Sequence, residues 1–145
     1  VCLDGTNVIG AYLADELLNT GILSANLHNT AYIISPEQHS GGQLIFRENY
    51  LPMIKGKHVL VLLATATTGK TLQTALECIE YYGGEVVGVS SIFSAADEIH
   101  GEQINTIFRT KDIPNYETHS AADCPLCKAG IPIQGIINSH GYSSL

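Results

Sequence analysis

Positive charge is scarce in this 145-residue chain: seven Lys and Arg stand against fourteen Asp and Glu, for a net charge of -7. The few cations are scattered, no basic run forms, and aromatic residues are few, with no Trp at all. A nucleic-acid binder needs a basic footprint, and a single-strand binder needs stacking rings besides. The sequence therefore argues against a nucleic-acid partner. Long apolar runs are lacking too. None approaches the ~20 residues that span a bilayer, and no signal-peptide pattern appears, so no membrane partner is expected. The four cysteines, at positions 2, 78, 124 and 127, are not spaced as a secreted disulfide framework. The expected compartment is the cytoplasm. Internal repeats and low-complexity segments are also missing. What remains is one domain over residues 1–145, long enough to bury roughly two-thirds of its unfolded surface. Val1-Cys2-Leu3 reads as the middle of a strand with no initiator Met before it, so a preceding N-terminal segment is expected.

The most informative stretch that is present runs from Val59 to Thr71. A continuous apolar run, Val59 to Leu63, passes through a turn of small and hydroxyl residues into an amphipathic pattern at Leu72, Ala75, Leu76 and Ile79. This predicts a buried strand feeding a helix. The first N–H groups of a helix have no intrahelical partner, and Thr67, Thr68 and Thr71 add hydroxyl donors, so the junction suits a phosphate. The same threonines also suit plain helix capping with no ligand.

Other elements surround this unit. Val1 to Leu3 predicts a strand, Asp4 to Asn7 a turn and helix cap, and Ile9, Tyr12, Leu13 and Leu17 a helix ending at Gly21. Ala31 to Ser35 predicts a second short strand. Pro36 to Gly42 predicts a polar loop, continuing as a mobile hairpin toward Tyr50. His58 to Leu63 is the expected central strand and Lys70 to Tyr82 its helix, stopped by Gly83-Gly84. Glu85 to Phe93 and Asn105 to Arg109 complete the expected strands. Strands alternating with helices imply an α/β fold with a mainly parallel sheet flanked by helices. Ligands in such sheets bind beyond the carboxyl ends of the strands, where the turns at Asp4 to Asn7 and Thr65 to Thr71 should lie.

Two ligand chemistries fit the loop. Ala64-x-x-x-x-Gly69-Lys70-Thr71 nearly matches the nucleotide-binding P-loop, with Lys70 on the terminal phosphates and Thr71 on magnesium. That reading, a nucleotide hydrolase, lacks the later strand ending in Asp that a P-loop enzyme uses to hold its metal.

Thr67-Thr68-Gly69-Lys70-Thr71, following an apolar strand and opening a helix, resembles the phosphate loop of type I phosphoribosyltransferases. Cys124-Pro125-Leu126-Cys127-Lys128-Ala129-Gly130-Ile131-Pro132 is similar to the C-terminal segment of many bacterial orotate phosphoribosyltransferases. The resemblance implies a type I phosphoribosyltransferase-like core, with the family's N-terminal hood upstream of Val1. It also implies that Thr67, Thr68, Gly69, Lys70 and Thr71 hold the 5-phosphate of phosphoribosyl pyrophosphate. Asp4, Gly5, Thr6 and Asn7 would form the pyrophosphate turn, although a plain capped turn fits those four equally. A homodimer and, if transfer occurs, magnesium are implied as well.

The sequence departs from that family at two places. The motif's adjacent acids fall on Leu63 and Ala64. Those carboxylates would stabilise a sugar that becomes cationic as pyrophosphate leaves. The lid stretch Ser35 to Gly42 carries no Lys or Arg, leaving His39 and the more distant Arg47 as its cation candidates. The implied function is thus an orotate phosphoribosyltransferase-like protein binding phosphoribosyl pyrophosphate or a nucleotide phosphate. The alternative is a non-catalytic sensor of the same ligand.

Cys78 is expected to be a packed thiol. Cys124 and Cys127 have the spacing of half a zinc site, but zinc wants four ligands, with only His119 near and Cys2 or His140 reachable by folding back. A buried structural turn is the expectation there. His28, His58, His100 and His140 are expected on the surface.

Overall fold

The computed structural model describes residues 1–19, 30–138 and 141–145. The expected helix end at Gly21, together with His28 and His140, lies outside the described residues.

The strand–turn–helix unit forms as its pattern dictates. β3, His58–Ala66, buries Val59, Val61, Leu62 and Leu63, so successive side chains on both faces are covered, as in the interior of a parallel sheet. Helix α2, Lys70–Tyr81, buries Leu72, Ala75, Cys78 and Ile79 on one stripe. That stripe packs with Val59, Val61, Leu63 and Val89 into the main core. Ile79 and Leu72 are at most 2% exposed; burying each such side chain contributes about 1.5–3 kcal/mol. The helix stops where Gly83 takes φ +79 and the Gly84 N–H donates to the Ile79 carbonyl at 2.9 Å. A left-handed glycine just past the last turn satisfies carbonyls that would otherwise be orphaned.

β4, Glu85–Ser94, runs parallel to β3 from His58↔Glu85 to Ala66↔Ser94, with a register shift between Val59 and Leu60. β6, Glu102–Arg109, runs parallel to β4 and starts earlier than the expected Asn105. Its antiparallel neighbour β5, Glu98–Ile99, was not expected from the sequence. The link between them is His100-Gly101, at φ +54 and +83, a two-residue turn whose left-handed pair matches strand twist. The order among these strands is β3-β4-β6-β5. Val1 to Leu3 extends this sheet beyond β3, through a parallel bridge of Cys2 with Leu62 and a Leu3 N–H to Leu62 carbonyl bond of 2.8 Å. The mixed α/β architecture with a mostly parallel sheet matches the expectation.

Helix α1, Asn7–Asn19, lies against the opposite side of β3 from α2. Its expected apolar stripe is not what it buries: Ile9, Tyr12 and Leu17 are exposed and Gly10 is the buried residue. A Cβ at Gly10 would stand closer than 3.0 Å to the Cys2 sulfur and 3.7 Å from Leu62 Cδ2. Close backbone approach thus sets this contact, which hydrophobic periodicity does not reveal.

Two other expectations change. Ala31 to Ser35 forms no regular strand; the Ile34 carbonyl accepts one bond from the Cys2 N–H at 2.8 Å, and Tyr32 and Ile33 stay exposed. The hairpin is short, pairing β1 (Glu37–Gln38) with β2 (Leu44–Ile45), and the chain turns into a 3-10 helix, Glu48–Met53, before Tyr50. The C-terminal part adds a single helical turn, α3 (Pro125–Lys128), and an exposed hairpin of β7 (Gly135–Asn138) and β8 (Gly141–Ser144).

Candidate functional site

Where Val1 to Leu3 ends, the backbone enters two left-handed residues, Asp4 at φ +54 and Gly5 at φ +76. Asp tolerates this region better than most side chains, and Gly adopts it freely. The turn is fixed from below: the Thr6 hydroxyl is buried and donates to the Leu3 carbonyl at 2.7 Å and to the Leu62 carbonyl at 3.2 Å. Thr6 therefore anchors the turn to β3, with its side chain turned away from solvent. Asn7 opens α1 and donates from Nδ2 to the Ser35 hydroxyl at 2.8 Å.

The second turn follows β3. Thr67, Thr68, Lys70 and Thr71 are exposed, while Gly69 is buried and serves as the N-cap of α2 at φ +78. No side chain caps this helix start. Among the described residues, the hydroxyls of Thr67, Thr68 and Thr71 have no hydrogen-bond partner, so plain capping does not account for them.

The two turns meet across one cavity of about 470 Å³. Asp4, Gly5 and Asn7 line one side, Lys70, Thr71 and Thr74 another, and Ser35, Gln38, Gly41 and Gly42 a third. Thr67, Thr68, Gly69 and Thr6 are not on its wall, nor are the two lid candidates. His39 is exposed, and its backbone N–H closes the hairpin onto the Gln43 carbonyl at 2.8 Å. Arg47 is held by Glu37, with Nε and Nη2 on the two carboxylate oxygens. That pairing, first through the hydrogen bond from Arg47, holds the Glu37 carboxyl below the usual carboxylate range.

The wall mixes polar groups with one carboxylate, Asp4, and one cation, Lys70. Magnesium is usually held by one or two carboxylates together with substrate phosphates, so Asp4 fits such a role. A larger cleft of about 590 Å³ lies between α1 and the sheet, walled mainly by apolar groups such as Leu13, Leu17, Ile33 and Leu60. Its wall also carries Thr30, Lys57 and His58, but it lies away from both turns.

Leu63 is 1% exposed and belongs to the main core, whereas Ala64 is half-buried. Sequence reasoning missed two residues near the loop. Thr74 sits one helical turn beyond Lys70 and shares its face, a relation the i, i+4 spacing could have revealed. His100 was not legible: its Nε2 lies 3.3 Å from where a Gly69 Cβ would stand, brought there by the unexpected β5–β6 turn.

Cys78 is buried, its thiol donating to the Leu44 carbonyl at 3.2 Å. Cys124 precedes the single turn of α3 and Cys127 lies within it, the first half-buried and the second exposed, so the segment is not the buried turn expected. Among the described residues, no group of three or more His, Cys, Asp or Glu converges to hold a metal ion. None of the described helices is long and apolar enough to cross a membrane.

With this geometry in place, sequence comparison gives a consistent set of relatives. The orotate phosphoribosyltransferase of Caldanaerobacter subterraneus subsp. tengcongensis is 35% identical over 81 residues, covering 54% of this chain and 40% of the relative. The chain is related to phosphoribosyltransferases. The orotate phosphoribosyltransferase of Desulforamulus reducens is 31% identical over 97 residues, 66% of this chain and 48% of the relative. That of Thermotoga maritima is 35% identical over 81 residues, with 54% and 41% covered. The chain thus matches less than half the length of these phosphoribosyltransferase relatives. No protein-family model matches it.

Proposed function

We propose that this chain is an orotate phosphoribosyltransferase-like domain that binds phosphoribosyl pyrophosphate, or a nucleotide phosphate, in the cavity between its two turns. The observation that carries this reading is the shared wall: Asp4, Gly5 and Asn7 face the same 470 Å³ space as Lys70 and Thr71. A phosphate at the start of α2 would be held by free backbone N–H groups and the Thr71 hydroxyl, with Thr67 and Thr68 in the adjoining turn outside the cavity wall. A pyrophosphate would extend toward Asp4 and Gly5, with magnesium between its oxygens and the Asp4 carboxylate. In this reading the protein works in the cytoplasm on a small phosphorylated ligand, as a homodimer.

A second reading, a non-catalytic sensor of the same ligand, is supported by Leu63 and Ala64. Without carboxylates at these positions, a developing oxocarbenium ion loses its nearest negative charge. A charge-assisted contact is typically worth about 1.5–3 kcal/mol, so losing two removes several powers of ten in rate.

Calorimetric titration of phosphoribosyl pyrophosphate, with and without magnesium, followed by orotate and a pyrophosphate assay, separates the two. Magnesium-dependent binding followed by pyrophosphate release supports the transferase; binding without release supports the sensor. No binding overturns both. In the sensor reading Thr71→Ala weakens binding more than Lys70→Ala, and the opposite ranking counts against it.

A further inference from the structure

Outside the cavity, Cys124 and Cys127 form a pair of nucleophilic side chains that the proposed function does not use. Cys124 precedes α3 and Cys127 lies within it, in a turn closed by the Lys128 N–H on the Cys124 carbonyl at 3.1 Å. Pro125 stands at the first helical position, where its missing N–H costs nothing and its fixed φ pre-forms the turn. Across one such turn the Cα atoms are about 5 Å apart, inside the ~4.4–6.8 Å window in which a disulfide closes without moving the backbone. Both cysteines are free.

We propose that Cys124 and Cys127 form a thiol–disulfide exchange site that cycles between a dithiol and an intramolecular disulfide, with low-molecular-weight disulfides as its partner. Cys124 is the attacking residue. Hydrogen bonding from Cys127, its backbone N–H first, draws the Cys124 thiol below the usual range, and the pairing with Cys124 pushes the Cys127 thiol up. The thiolate is the nucleophile in such exchange. The Cys124 thiolate attacks one sulfur of RSSR, the S–S bond breaks, and RS⁻ leaves and takes a proton. The Cys127 sulfur, losing its proton, then attacks Cys124 in the mixed disulfide and expels the second RS⁻. The protein loses two electrons and two protons in total, and RSSR becomes two RSH. Exposure of Cys127 and part of Cys124 gives the partner access, whereas Cys2 and Cys78, at 4% and 7% exposure, are shielded.

The test is incubation of the folded full chain with oxidised glutathione, followed by intact-mass measurement and peptide mapping. The expected product is a chain two hydrogens lighter, with the bond mapped to Cys124–Cys127 and with Cys2 and Cys78 still reduced. Cys127→Ser should instead accumulate one glutathionyl group on Cys124. It should do so faster than Cys124→Ser acquires one on Cys127, because the Cys127→Ser variant keeps the backbone N–H that lowers the Cys124 thiol. A wild-type chain that stays reduced, or that ends with separate glutathionyl groups on both cysteines, overturns the proposal. Equal capping rates in the two variants overturn the assignment of Cys124 as the attacking residue. Both substitutions fall outside the core, and a melting curve superimposable on wild type shows that the readout does not reflect unfolding.

Discussion

Gly69 packs directly against Ile99: a Cβ at Gly69 would lie closer than 3.0 Å to the Ile99 Cγ2, while the backbone there sits at φ +78. Ile99 is itself at the edge of the core, 9% exposed. The β5–β6 hairpin therefore holds the Thr67–Thr71 loop in a conformation and a space that only glycine satisfies. Gly69→Ala should destabilise the protein by about 1–3 kcal/mol, from the left-handed backbone and the overpacking together. Thermal unfolding measures the first effect, and phosphoribosyl pyrophosphate titration of the still-folded fraction should show weakened binding. A variant with wild-type stability and wild-type affinity would contradict the buttress.

Leu63 and Ala64, where the proposed family motif would carry its acids, differ in what they accept. Leu63 is in the core at 1% exposure, so Leu63→Glu buries a carboxyl among apolar groups and should cost several kcal/mol or prevent folding. Ala64 is half-buried and should tolerate Ala64→Asp. If missing negative charge is what limits transfer, Ala64→Asp should raise the rate of base-dependent pyrophosphate release by tenfold or more, on the order of one charge-assisted contact. A folded Ala64→Asp protein with an unchanged rate would place the limit elsewhere.

Ser91 lies directly opposite Leu63 in the β3–β4 register, and it is 2% exposed. Its hydroxyl is one of two buried side-chain polar groups without a hydrogen-bond partner among the described residues. A buried donor left unmade is costly, so Ser91→Ala should stabilise the fold by about 1 kcal/mol. Chemical denaturation with an unchanged denaturant slope checks this. A loss of stability would mean that the hydroxyl has a partner in solution.

Glu37 and Arg47 close the hairpin beside the cavity. The Glu37 carboxyl is held low chiefly by the hydrogen bond from Arg47. A carboxyl with a depressed folded pKa contributes stability that is fully present above its unfolded pKa and fades as pH falls through the lower folded one. Hairpin ordering should therefore be constant at neutral pH, fall in the acid range, and weaken with added salt because the pair is exposed. Backbone amide shifts of Glu37 to Ile45 followed by NMR from neutral to acid pH report it, with Glu37→Gln as the variant lacking the transition. An acid transition that survives in Glu37→Gln would rule out this pair as its origin.

The sequence by itself determined the unit that runs from His58 to Gly84. A continuous apolar run, an amphipathic stripe and a double glycine are local signals, and each dictates its conformation through neighbours a few residues away. The turn from Thr67 to Thr71 into α2 was readable for the same reason, since its residues are neighbours in the chain. What only the tertiary structure decided depends on pairs distant in the chain. Asp4 and Lys70 share a cavity because Val1 to Leu3 docks beside β3. Gly10, and not the Ile9 and Tyr12 stripe, faces the sheet because Cys2 lies beneath it. His100 reaches Gly69 through a hairpin with strands too short for any periodicity to show. Arg47, a free cation in the sequence, is bound to Glu37 across that short hairpin. Periodicity reports which face of an element is apolar; it carries no information on which distant backbone will approach closely enough to require a glycine, orient a turn or neutralise a charge.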